Sequence, residues 1–195
     1  MEYRYLISEN NVLSRRTEAP LSYEVYAPRR SIRWIDQADA LMSLCEDLAP
    51  EQMIGLDVET TLRSQSLCLL QIATLSFTAI VDPLAIGDLG PLFSIFKDPD
   101  VCIVIHNAPF ERTVLKKFNC EITNVFDTLR ASRTIRGKRK SGHSLAAVCR
   151  RELNIHLDKQ YQRSDWRRRP LSRDQINYAA LDAEVLIDLY RIFHR

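Results

Sequence analysis

Two carboxylates interrupt an apolar run in the stretch IGLDVETT, residues 54–61. Asp57 and Glu59 stand two apart where a buried strand would carry valine and leucine. Side chains at i and i+2 of a strand share a face, so both acids project together while Leu56 and Val58 point the other way. Adjacent carboxylates repel and lose hydration unless positive charge lies between them. Divalent cations such as Mg2+ and Mn2+ meet that need, because they take oxygen ligands and are held by a few carboxylates together with substrate phosphates. Two further segments offer acids. Glu111 falls in the first turn of a helix leaving an apolar strand, in HNAPFERTVL, and Tyr178 and Asp182 sit four apart on one helix face in NYAALDAEV. Each also has a plain structural use: a pair of acids can end a strand by chance, an acid in a first turn suits the helix dipole, and a Tyr/Asp pair can line a surface.

These side chains need elements to carry them. Residues 1–33 mix polar, aromatic and basic types without sustained periodicity and are expected to form an irregular N-terminal arm, with the folded domain over 34–195. WIDQADALMSLCEDLA spaces its apolar residues at three and four, which predicts a helix ended near Pro50. MIGLDVET, LCLLQIATL, FTAIVD and VCIVIH predict strands, and LGPLFSIFKD a short helix. NAPFERTVLKKFN predicts a helix with Asn107 as N-cap and Pro109 in the first turn. After VFD, TLRASRTI and SLAAVCRREL predict helices on either side of the basic loop RGKRKSGH. Asp127, early in VFDT, suits a helix N-cap and is also an acid within reach of a cleft. HLDKQYQRSDWRRRP is irregular by composition. The last helix is signalled at its start by Ser172 and Gln175 as a capping box, with Leu171 and Ile176 as a hydrophobic staple. Strands alternating with helices predict an α/β fold, a mixed central sheet flanked by helices.

Taken together, Asp57-Val-Glu59-Thr60, His106-Asn107-Ala-Pro-Phe110-Glu111 and Tyr178-Ala-Ala-Leu-Asp182 resemble the three motifs of the DEDD superfamily of 3′-to-5′ exonucleases. The stretch LDKQYQRSDWRRRPLSRDQINYAALDA narrows the resemblance to the ribonuclease D-like branch, over roughly residues 34–193. The histidine-type subclass carries its histidine five residues before the last Asp; this chain has Asn177 there and Tyr178 next, so it resembles the tyrosine subclass, DEDDy. The resemblance implies an RNase H-like exonuclease domain and two divalent ions, Mg2+ or Mn2+, held by Asp57, Glu59, Glu111 and Asp182. It implies that Tyr178 orients the attacking water and that Glu59 contacts the terminal 3′ hydroxyl. The substrate implied is single-stranded nucleic acid, RNA ahead of DNA, trimmed from the 3′ end to nucleoside 5′-monophosphates in RNA processing or turnover. One departure stands out: the family usually has Asp where Glu111 lies. Glutamate keeps the charge on a longer stem, so a non-catalytic nucleic-acid-binding module is the rival expectation, beside a DNA exonuclease.

Net charge of +2 conceals an uneven distribution: residues 130–195 hold 16 of the 27 Lys and Arg but only 7 of the 25 Asp and Glu. Clustered cations attract phosphates, and single-strand binding joins a basic groove to stacking side chains. Lys138, Arg139, Lys140, Arg163, Arg167, Arg168 and Arg169 are the expected groove, with Trp166 or Phe110 close to it, Thr60 and Asn107 beside the acids, and Leu62 as a wedge against the terminal base. His106 is expected to be structural, and His143, His156 and His194 have no ligand spacing. The five cysteines are scattered, without zinc spacing, and read as reduced packing residues. No apolar window is long enough to span a membrane and the first residues lack a signal pattern, so the expectation is a cytoplasmic protein.

Overall fold

The computed structural model describes residues 24–25, 27–137 and 142–194. Along the chain run β1 (Glu24–Val25), β2 (Ser31–Ile35), α1 (Ala38–Leu48), β3 (Met53–Thr60), β4 (Leu67–Ala73), β5 (Phe77–Val81), α2 (Gly90–Lys97), β6 (Cys102–Ile105), α3 (Ala108–Lys116), β7 (Val125–Asp127), α4 (Thr128–Arg136), α5 (Leu145–Leu153), β8 (Ile155–His156) and α6 (Arg173–Phe193). Six strands form one sheet in the order β2-β5-β4-β3-β6-β7, while β1 and β8 pair separately in parallel. Strand β4 runs antiparallel to both its neighbours and the other pairs are parallel. This is the expected mixed sheet.

Alternation along β3 divides its residues between two layers. Ile54, Leu56 and Val58 enter the large core with Leu41, Leu44 and Leu48 of α1 and Leu92, Phe93 and Phe96 of α2. Gly55, Asp57 and Glu59 face α6 instead. That helix lies very close to the sheet: a Cβ on Gly55 would stand 2.6 Å from the carbonyl oxygen of Ala183. The small side chains of Ala73 and Ala183 pack beside that contact. Glycine is therefore required here by the approach of another backbone.

Helix α1 starts later than the sequence suggested. Trp34 and Ile35 belong to β2, paired with Ile80 and Val81, because an edge strand beside β5 uses these bulky residues before the helical spacing begins. The six-stranded sheet thus begins at Ser31, with the short strand β1 before it. Just before Ser31, Arg29 and Arg30 donate their backbone N–H groups to Glu184 of α6, and the Arg30 guanidinium pairs with Glu184 and Asp188. Glu184 is fully buried, so these partners offset its desolvation. The rest of the expected arm, residues 1–23 and 26, lies outside the described residues.

The capping box of α6 is present in both directions: the Ser172 hydroxyl accepts from Gln175 N and the Gln175 side chain accepts from Ser172 N. Asn107 occupies the N-cap position of α3 in a left-handed conformation, φ 78°, but its side chain caps nothing. Asp127 does that work for two helices, accepting from Asn107 N and Ala108 N at α3 and from Leu129 N and Arg130 N at α4. A charged acceptor at two helix starts satisfies four orphan donors, which the neutral Asn107 amide could not match.

Candidate active site

Strand β3 delivers Asp57 and Glu59, α3 delivers Glu111 and α6 delivers Tyr178 and Asp182, all onto one open cleft of about 650 Å³. The shift in β3–β4 pairing between Glu59 and Thr60 is a bulge at the mouth of the site, where the strand turns away from the sheet. Carboxylate oxygens of Asp57, Glu59 and Asp182 lie within 4.8 Å of one another. Glu111 is outside that trio but only 3% exposed, and its Oε2 has no hydrogen-bond partner.

Electrostatics follow from crowding acids with little compensating charge. Burial pushes the Glu111 carboxyl up to about 9, and the charge of Asp57 adds to the rise. Burial raises Asp57, against a backbone hydrogen bond from Val58. Glu59 is raised by burial and then by the charges of Asp57 and Asp182, and Asp182 by burial and then Asp57. The Tyr178 phenol is raised strongly, by burial first and then by Asp182 and Glu59, so it keeps its proton. Acids held in this state call for a cation, and an orphaned buried carboxylate oxygen is a ligand atom without its partner. The donor set, all oxygen, suits a hard divalent ion.

The cleft wall adds groups of other kinds. His106 makes two hydrogen bonds, Nε2 to the carbonyl of His143 and Nδ1 with the Thr128 hydroxyl, both 2.9 Å. A carbonyl only accepts, so Nε2 carries the proton; burial lowers the ring pKa to about 4, so Nδ1 is bare and competes with Ile105 O, 3.2 Å away, for the single proton of the Thr128 hydroxyl. His106 is therefore a neutral strut whose edge lines the cleft. His143 repeats the pattern, with Nε2 to Gly137 O and Nδ1 to the Ser132 hydroxyl, which also accepts from Arg151. Leu62 is 69% exposed in the loop after β3, and Lys117, just past the end of α3, donates to the Ser64 and Gln65 carbonyls of that loop.

Thr60, Leu62, His106, Asn107 and Phe110 line the cleft together with the four acids and Tyr178. Of the expected basic groove, the described residues Arg163, Arg167, Arg168 and Arg169 are not among that lining. Arg139 and Lys140, with Lys138, lie outside the described residues. Arg163 is exposed but away from the cleft lining. Trp166 is 1% exposed, packed in the core against Tyr178 rather than open to a base. Arg169 is spent on a buried pair with Asp82, and Arg167 on Asp165. Sequence reasoning also missed Arg133 of α4 and Lys159, Gln162 and Ser144 in the cleft wall. Lys159 and Gln162 stand inside the LDKQYQ stretch, so a signal was there; Arg133 differed in nothing from the other basic residues of its helix.

A mixed six-stranded sheet flanked by helices, with acids converging from the central strand β3 and the last helix, defines an RNase H-like nuclease fold. The 3′-5′ exonuclease family matches residues 32–195, and the chain belongs to that family. Among curated relatives it is 34% identical over 160 residues to Protein RRP6-like 3 of Arabidopsis thaliana, covering 79% of this chain and 18% of that one. It is also 34% identical over 162 residues to Exosome complex exonuclease RRP6 of Saccharomyces cerevisiae, covering 80% of this chain and 22% of the relative. The crystal structure of Escherichia coli RNase D, described as an exoribonuclease involved in structured RNA processing, superposes with a TM-score of 0.77 at 29% identity, covering 84% of this chain and 44% of that chain. The chain thus spans about a fifth of the length of these curated relatives. No helix among the described residues is long and apolar enough to cross a membrane.

Proposed function

We propose that this chain is a divalent-metal-dependent exonuclease that removes nucleotides from the 3′ end of single-stranded RNA as nucleoside 5′-monophosphates. The observation that carries the reading is the meeting of Asp57, Glu59 and Asp182 within 4.8 Å beside the orphaned Glu111 carboxylate. RNA is preferred to DNA because RNase D is described as an exoribonuclease and the curated relatives include RRP6 proteins.

Asp57, Glu59, Asp182 and Glu111 would hold two ions, Mg2+ or Mn2+. When bound, such ions supply positive charge against the phosphate oxygens and lower the pKa of water. The chain's own residues do the rest. Tyr178 keeps its proton and so orients the water through a hydrogen bond and does not act as a base. Glu59, beside the bulge, faces the terminal ribose, where a hydroxyl contact favours an end over an internal bond. Leu62 and Phe110 offer apolar surface to the last base. Lys159, close enough to Asp182 for its charge to act on that carboxyl, and Arg133, which acts likewise on His106, supply cations for the phosphates.

The test is a 5′-labelled single-stranded RNA incubated with Mg2+ or Mn2+ beside a DNA of the same sequence. The expected result is a ladder shortening from the 3′ end, faster for RNA, stopped by EDTA and abolished by Asp57→Ala. Binding without shortening in either metal overturns the enzymatic reading, and faster trimming of DNA overturns the choice of RNA.

A further inference from the structure

Tyr178 does not hold its ring in place alone. Its phenol hydrogen-bonds with Asp182, and its ring packs against Trp166, with ring centroids 6.0 Å apart and planes inclined by 32°, and Tyr161, at 6.2 Å. Trp166 in turn sits on the irregular stretch between β8 and α6, where the backbone makes only isolated turn hydrogen bonds such as Gln162 N to Lys159 O and Arg168 N to Asp165 O. Its indole Nε1 has no hydrogen-bond partner, so no polar anchor of its own fixes the ring. What fixes the stretch is Arg169. Its Nη1 donates to the carbonyls of Trp166 and Arg168, both at 2.8 Å, and its Nη2 donates to Cys68 O at 3.1 Å. Nε and Nη2 grip the two oxygens of Asp82, the second at 2.6 Å.

Asp82 is itself rigid. It follows β5 directly, is 3% exposed, donates its N–H to Ile35 O and accepts Leu84 N on its side chain. This ion pair, with its carboxylate buried and its guanidinium partly exposed, contributes little net stability, because desolvation offsets much of the attraction. Its distinct contribution is geometry, since the planar guanidinium fork fixes direction at every donor.

We propose that the Asp82–Arg169 pair is a positioning device for Tyr178, acting through Trp166: it ties the irregular stretch to the sheet so that the indole face sets where the phenol points. The inference rests on the role given to Tyr178 above. Neither Arg169 nor Trp166 touches substrate. Both act on the rate of the chemical step through the angle of one ring.

The experiment measures single-turnover cleavage and KM for Arg169→Lys and Trp166→Phe, each with Tyr178 intact and in a Tyr178→Phe background, with thermal unfolding to confirm folding. Arg169→Lys keeps the charge but loses the fork; Trp166→Phe leaves the Asp82–Arg169 pair whole and carries the test if the first variant does not fold. Expected with Tyr178 present is a rate loss of about tenfold, since an ångström of misplacement can cost more, with KM changed by less than about twofold. With Tyr178→Phe, neither variant should slow the reaction further. Equal fold losses in both backgrounds, or a loss confined to KM, overturn the positioning inference alone. A wild-type rate for Tyr178→Phe overturns both the inference and the role of the tyrosine beneath it.

Discussion

Glu111 concentrates the chemistry of the site in one side chain. It is nearly fully buried, has one oxygen unpartnered, and stands where the family resemblance leads one to expect the shorter aspartate. Its carboxyl is raised to about 9, mainly by burial. A group whose folded pKa exceeds its unfolded value stabilises the fold below the unfolded pKa, and that contribution is lost as pH rises through the folded one. In EDTA, the melting temperature should therefore fall between about pH 4.5 and 9. Saturating Mn2+ should remove most of the slope and raise the melting temperature at pH 8 by a few degrees, since a ligand of the folded state stabilises it by mass action. Glu111→Gln should make the EDTA profile shallower, with Asp57, Glu59 and Asp182 carrying the remaining slope, and weaken Mn2+ binding by roughly ten- to a hundredfold, as changes around metal sites commonly do. Calorimetric titration with Mn2+ alone checks this without any substrate. A pH-independent melting temperature in EDTA would contradict the assignment.

At the scale of elements, the site depends on how closely α6 lies on β3. Gly55→Ala would set a methyl carbon against the Ala183 backbone oxygen at 2.6 Å, and a main-chain atom cannot swing aside as a flexible side chain can. The helix would have to lift, carrying Asp182 away from Asp57. The expected cost is about 1–3 kcal/mol of stability, with a drop in cleavage rate beyond what the lower melting temperature explains. Urea unfolding and single-turnover rates measured together test this. Much of this arrangement was legible in the sequence. Period-two alternation put Asp57 and Glu59 on one face, four-residue spacing paired Tyr178 with Asp182, and the capping box marked where α6 starts. Other features were not legible, for a physical reason: the partner of a side chain is set by tertiary contact. Arg169 looks like any arginine in a basic run until Asp82, 87 residues earlier, is seen beside it. Trp166 looks like a stacking platform until its burial is known, and Asn107 loses its capping role to an acid on another strand.

For the molecule as a whole, the excess of cations from residue 130 on remains relevant to polyanion binding, although few of those among the described residues reach the cleft. Arg133 and Lys159 line it, whereas Arg167 and Arg169 are neutralised by Asp165 and Asp82. Binding of single-stranded RNA to Asp57→Ala, which should not cut it, should weaken with salt. Adding Arg133→Ala should lower the slope of log K against log[salt] by about 0.7, the value for one phosphate contact on a single strand, while Arg167→Ala should leave it unchanged. Fluorescence anisotropy at several salt concentrations measures both.

The seam between Arg29, Arg30 and the interior of α6 has a practical consequence for anyone trimming this chain. A fragment begun at Trp34, where the periodic pattern first becomes readable, would leave Glu184 sealed inside the protein two positions from Asp182, stripped of every donor named for it here. Removing those donors from a sealed-in charge destabilises the fold, so the shortened protein would come out of expression weakened, and an inert preparation would then testify to the cut and say nothing about the enzyme.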